Sequence, residues 1–279
     1  MTTSTEAPQR AQAGSDEAAS RPAPKAIAPG VLWLPVGKGL MRSNVYFVRA
    51  GSKWVLIDTG SQGCTAAILA AASTLFGFDT PAAAILLTHS HPDHAGSARE
   101  LSSAWACPLH LHPEELPLTR GDLADVRRYP NPLDRWLVLP LLRVLPASRR
   151  EAILAASSLA DVALPLDPDK PPPALPEWRS VPSPGHTPGH VSFYRPSDGV
   201  LLTGDAIVTV DLNSLPGLLF RKPRLSPPPR YVTWNWRLAK ETVASLARLE
   251  PHVLAGGHGE PIAGPALQAS LQALTRSLS

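Results

Sequence analysis

Between Thr88 and His94 the chain reads Thr-His-Ser-His-Pro-Asp-His, three imidazoles and a carboxylate within six residues. One histidine alone is ordinarily a satisfied polar residue of the fold. Four donors this close, directly behind an apolar run, would be poorly solvated and partly repelling unless a cation shared them. Imidazole nitrogen with carboxylate oxygen is a ligand set for zinc, iron or manganese. His89 and His91 are two apart and face the same way on extended chain, whereas Asp93 and His94, beyond Pro92, turn to another side. That division predicts two subsites. The same event, a donor emerging on a glycine-containing loop after an apolar strand, recurs at Asp58, His89, His186, Asp205 and His258. Packing alone gives no reason for the recurrence.

Such donors need strands behind them. Residues 31–36, 44–49 and 53–58 read as short strands, with a hairpin turn at 50–52. Residues 63–76 read as a helix ended by Gly77. Residues 81–87 are a continuous apolar run, the pattern of a strand buried on both faces, and they deliver the histidine cluster to its carboxyl end. Asp93 is read as the cap of a helix running to about Ala104. Further strands are expected at 107–111, 178–181, 190–195, 200–203 and 252–255. A helix is expected over 231–250, where Val232, Trp236, Ala239, Val243 and Leu246 recur at spacings of four and three. A last helix covers 265–278. Residues 1–30 read as a disordered tail without the apolar run of a secretory signal. Residues 31–279 read as one domain, with a helical insertion or lid at about 113–160.

The string THSHPDH matches the HxHxDH signature of the metallo-β-lactamase superfamily. LIDTG, PGHTPGH, LLTGDAI and GGHG match its other motifs in the family's order, so the chain resembles that superfamily from about Val31 to about Gly259. The resemblance implies an α/β fold, an αββα sandwich of two mixed sheets flanked by helices. It implies His89, His91 and His186 on a first metal, Asp93, His94 and His258 on a second, and Asp205 bridging both. Asp58 and His190 are then residues that orient the ligands. Two zinc ions are implied, with iron or manganese as alternatives. The chemistry implied is attack by a metal-activated water on an ester, thioester or lactone-type bond, with Asp93 or Asp205 carrying the proton. A phosphodiesterase of the same fold and a mononuclear-iron, persulfide-dioxygenase-like oxidoreductase are the alternatives. His110, His112 and His252 match no motif; the first two are expected near the site and His252 in a structural role.

Composition narrows the rest. With 279 residues and 44% hydrophobic side chains, the chain can bury a sizeable core. A net charge of +3 gives no sign of a nucleic-acid partner. Two cysteines make no disulfide framework and suit a reducing compartment, so a cytoplasmic protein with a small-molecule substrate is expected. No run reaches the length of a membrane span. Lactonases similar to this fold carry a tyrosine shortly after the bridging aspartate, where this chain has Val208. Glyoxalase II-like thioesterases add a C-terminal helical domain, and only 21 residues follow His258. The pocket walls are expected from residues 113–160 and from the loop 208–230.

Overall fold

The computed structural model describes residues 23–156 and 158–279. Its first sheet runs β1 (Lys25–Ala28), β2 (Val31–Val36), β3 (Ser43–Ala50), β4 (Lys53–Ile57), β5 (Ala84–Leu86), β6 (Leu109–Leu111) and β7 (Ala163–Pro165), in that spatial order. The first four strands pair antiparallel and β4 to β7 pair parallel. The second sheet has the order β14-β13-β10-β9-β8, from β8 (Arg179–Pro182), β9 (Val191–Arg195), β10 (Val200–Gly204), β13 (Val253–Gly256) and β14 (Ile262–Ala263). In it β10 and β13 are parallel. A separate antiparallel ribbon joins β11 (Val208–Val210) to β12 (Pro223–Ser226).

The helices are α1 (Thr65–Phe76), α2 (Pro92–Ala95), α3 (Ala98–Trp105), α4 (Leu123–Arg128), α5 (Leu139–Val144), α6 (Ala147–Ala156), α7 (Leu215–Phe220), α8 (Trp236–Ala247) and α9 (Ala266–Leu278). The period-two alternation of side chains across a strand explains how they are layered. In β3 and β4, Val45, Phe47, Trp54 and Leu56 pack on Ile68, Ala72 and Leu101 of α1 and α3. Their neighbours Tyr46, Val48, Val55 and Ile57 point the other way, onto Val191, Phe193, Val200 and Leu202 of the second sheet. Leu201, one residue from Leu202, faces outward onto Val243, Leu246, Leu267 and Leu271 of α8 and α9. Both sheets are therefore buried on both faces, in the four-layer αββα order that the resemblance implies.

Several boundaries differ from the sequence reading. Chain order begins before residue 31: β1 pairs with β2 through Lys25↔Trp33 and Ala26↔Leu32, after a turn in which Gly30 takes φ 71°. Backbone pairing makes that strand, and its apolar content gives little hint of it. The rest of the expected tail, residues 1–22, lies outside the described residues. The helix expected from Asp93 is two helices. His91 is the residue preceding α2 and Asp93 lies in its first turn. Gly96 then packs on the 60–62 loop, its N–H donating to Gly60 O and the Ser97 hydroxyl to Ser61 O. The helix expected over 231–250 starts at Trp236, because Asn235 caps it by accepting from Leu238 N. The loop after Asp205 contains β11, α7 and β12.

Candidate metal centre

Four donors leave the carboxyl ends of neighbouring strands. Asp58 follows β4, His89 lies just past β5, Asp205 follows β10 and His258 lies just past β13. The parallel pairs β4/β5 and β10/β13 send these ends to one side of the sandwich, where α/β folds place their sites. The loop between β8 and β9 supplies His186, and the short turn of α2 supplies Asp93 and His94.

The structure brings all seven expected donors together in three overlapping groups. His89, His91 and His186 form one, His89, His94 and Asp205 a second, and Asp93, His94 and His258 a third. Within each group the donor atoms lie within 4.8 Å of one another. Asp205 stands at the centre. Its carboxylate oxygens lie 3.4 Å from His94 Nε2, 3.5 Å from His186 Nε2 and 3.3 Å from His258 Nε2. Asp93 Oδ2 is 3.2 Å from His258 Nε2.

Hydrogen bonds on the far sides of the rings fix which nitrogen faces inward. His94 Nδ1 donates to Asp58 Oδ2 at 2.8 Å, and His258 Nδ1 donates to the Arg42 carbonyl at 2.8 Å. The Thr233 hydroxyl donates to Pro229 O, so at 3.3 Å it accepts from His186 Nδ1. The Thr88 hydroxyl donates to Asp58 and accepts from His89 Nδ1 at 3.0 Å. Each ring therefore turns its Nε2 inward, where His186 Nε2 lies 2.9 Å from His91 Nδ1 and the Nε2 atoms of His94 and His258 face carboxylates. His89 Nε2, His94 Nε2 and Asp205 Oδ1 are buried with no hydrogen-bond partner. Lone pairs facing lone pairs and carboxylate oxygens repel, and cations remove the repulsion. The residues present thus fit metal ions.

Electrostatics divide the four rings into two pairs. Burial among other imidazoles holds His89 and His186 well below the ordinary imidazole value. Burial also opposes charge on His94 and His258, but the carboxylates of Asp205 and Asp93 outweigh it. His94 is held well above its ordinary value and His258 is pushed up to about 9. Against its own burial, Asp205 is held well below the usual carboxylate range by His258 and His94.

Asp58 and His190 touch the centre through other residues. Asp58 is buried at φ 58° and also accepts from Thr88 N, tying β4 to the histidine loop. His190, pushed down to about 3 by burial, accepts from Asp205 N at 3.0 Å and bonds the Ser183 hydroxyl through Nδ1. Gly257 leaves room for the centre, since a Cβ there would overlap Asp205 Oδ1 and His94 Cε1. His112 lies beside Gly189 at the edge of the site, His110 sits in β6, and His252 packs under the Gly199 turn.

One residue of the site lies outside the sequence expectations. Glu115 is wholly buried; its Oε2 accepts from Ser90 N (3.0 Å) and the Ser90 hydroxyl (2.6 Å), and its Oε1 accepts from Gly189 N (2.8 Å). It clamps the loop of His89 and His91 to the loop of His186 and His190. Its signal in the sequence is its place just beyond β6, the parallel neighbour of β5.

Comparisons with known proteins identify the family. Residues 39–258 match the family model described as "Metallo-beta-lactamase superfamily". The chain is 35% identical over 240 residues to "Probable metallo-hydrolase YflN" of Bacillus subtilis, covering 85% of this chain and 88% of that protein. Among solved structures, the metallo-beta-lactamase family protein TTHA1429 from Thermus thermophilus aligns with TM-score 0.62 at 25% identity, covering 90% of this chain and 80% of that one. TTHA1623, solved in a di-iron-bound form, aligns with TM-score 0.51 at 28% identity, covering 82% and 94%.

Proposed function

The chain belongs to the metallo-β-lactamase superfamily, and from that premise we propose that it is a dinuclear metal-dependent hydrolase of an ester, thioester or lactone-type bond in a small molecule. The observation that carries this reading is the inward set of imidazole nitrogens around Asp205, with His89 Nε2, His94 Nε2 and Asp205 Oδ1 buried and left without hydrogen-bond partners. His89, His91 and His186 would hold one ion, Asp93, His94 and His258 the other, and Asp205 would bridge them. Bound ions supply Lewis acidity, polarising a carbonyl and acidifying water at neutral pH.

The chain's own groups do the remainder. Asp58, the Arg42 carbonyl and Thr233 hold the rings of His94, His258 and His186 in one tautomer and orientation. His190 fixes the backbone of Asp205. Asp93 and His91 are the two donors that are only partly buried, and the Asp93 carboxylate takes the proton of the attacking water and passes it to the leaving group. Zinc is the proposed metal, and iron is the second reading, favoured by the di-iron form of TTHA1623. Two free, buried cysteines support a reducing compartment and hence the cytoplasm.

The test is elemental analysis of the purified protein beside turnover of an ester, thioester, lactone and phosphodiester panel, before and after chelation. The reading expects activity that leaves with the metal and returns on adding it back. Full activity in metal-free protein contradicts it.

A further inference from the structure

The helical segment 120–150 carries seven arginines, three aspartates and no lysine or glutamate, a net +4 in a chain whose total is +3. It is one of two strongly basic stretches of the chain, residues 212–240 carrying six basic side chains and no acidic one. Among the described residues, none of Arg127, Arg135, Arg143 and Arg149 lies within ion-pair distance of a carboxylate.

The same segment exposes apolar side chains in a row. A π-helical turn, Asp134–Val138, runs directly into α5. Leu139 and Leu142 face inward and are buried. On the opposite side Trp136 (78% exposed), Leu137 (58%), Leu141 (55%) and Val144 (78%) stand in solvent. The spacing of four and three residues places Leu137, Leu141 and Val144 on one helical face, about 10 Å long at 1.5 Å per residue, with Trp136 at its flank. Isolated exposed leucines need no explanation, but a continuous stripe flanked by a tryptophan does.

We propose that this face docks the protein on the surface of an anionic lipid bilayer. An exposed apolar stripe with tryptophan, bordered by arginines, is the pattern of a helix lying in the plane of a membrane interface, its apolar side sunk about 5–10 Å. The unpaired arginines meet the negative surface potential. Charge argues against a second copy of the chain on the same face, because a two-fold contact would set arginine against arginine. No helix among the described residues is long and apolar enough to cross a membrane, so the contact is peripheral.

The docking face also borders the candidate metal centre. Arg135 and Trp136 line a cavity of about 400 Å³ with Thr233 and Trp234. Thr233 is the residue that holds His186 Nδ1. The binding step needs only the surface, and stands whether or not the hydrolase reading does.

Co-sedimentation with large unilamellar vesicles tests it, using phosphatidylcholine alone or with about one third phosphatidylglycerol. The expected result is binding to the anionic vesicles only, weakened at least about tenfold by high salt. Two variants separate the contributions: Leu137→Ser/Leu141→Ser/Val144→Ser removes the stripe, and Arg135→Glu/Arg143→Glu reverses charge. Circular dichroism checks that both remain folded, and each is expected to lose at least about tenfold in vesicle binding. Absence of binding to anionic vesicles overturns the proposal. So does unchanged binding by both folded variants, or a wild-type dimer that the serine variant dissociates in analytical ultracentrifugation.

Discussion

Glu115→Ala should loosen the centre without touching any of its donors. The change removes the acceptors of Gly189 N, Ser90 N and the Ser90 hydroxyl, and a hydroxyl can turn to a new partner. The two backbone N–H groups cannot, and the cavity left by the side chain lies where Glu115 is fully buried. Each unsatisfied donor costs about 1–3 kcal/mol, so a total near 4 kcal/mol is expected. At roughly 2–4 °C per kcal/mol for a domain of this size, Tm should fall by about 8–16 °C. Glu115→Gln should lose about half as much. Its carbonyl can keep both Ser90 bonds while its amide nitrogen faces the Gly189 N–H. Because Ser90 lies between His89 and His91, both variants should also bind metal more weakly. Calorimetry and metal titration read the two effects. A Tm within about 2 °C of wild type for Glu115→Ala, with unchanged metal affinity, would refute the clamp.

Gly257→Ala should fold yet lose metal and at least about 100-fold in turnover, since its methyl would overlap Asp205 Oδ1 and His94 Cε1; metal analysis beside circular dichroism checks this. The Cys107 thiol, pushed up to about 11 by burial, should resist a disulfide-exchange reagent in the native protein at pH ~8 and react promptly in denaturant. Asp161, held down to about 2 by its bond with Arg99, contributes stability that is present above the ordinary carboxylate value near 4 and is lost as pH falls toward 2. Carboxyl NMR should show that value and its return toward about 4 in Arg99→Ala.

The donors of the centre are readable because each announces itself locally. Asp58, His89, Asp205 and His258 each follow an apolar strand, and His186 sits beside Gly185 in the loop after β8. The spacing of His89, His91, Asp93 and His94 also implies two directions of approach, whereas the donor groups overlap, His89 and His94 sharing one with Asp205. The chain of β3 and β4 is visible as strand, though both faces are apolar, and only the fold shows that one faces helices and the other a sheet.

What stays hidden in the sequence depends on partners distant along the chain. Glu115 bonds residues 25 and 74 positions away, and nothing near it distinguishes it from Glu114. β1 is held by backbone bonds to β2, which composition does not record. Apolar spacing continues back to Val232 and so sets the start of α8 too early, whereas a cap at Asn235 decides the boundary.

The central claim is that seven side chains share two cations, and native mass spectrometry of the metal-loaded protein tests it most directly. Wild type should carry two ions per chain, His258→Ala and His186→Ala one each, and Asp205→Ala fewer than two. A wild-type chain that binds no metal, or variants that keep the full two ions, would contradict the account.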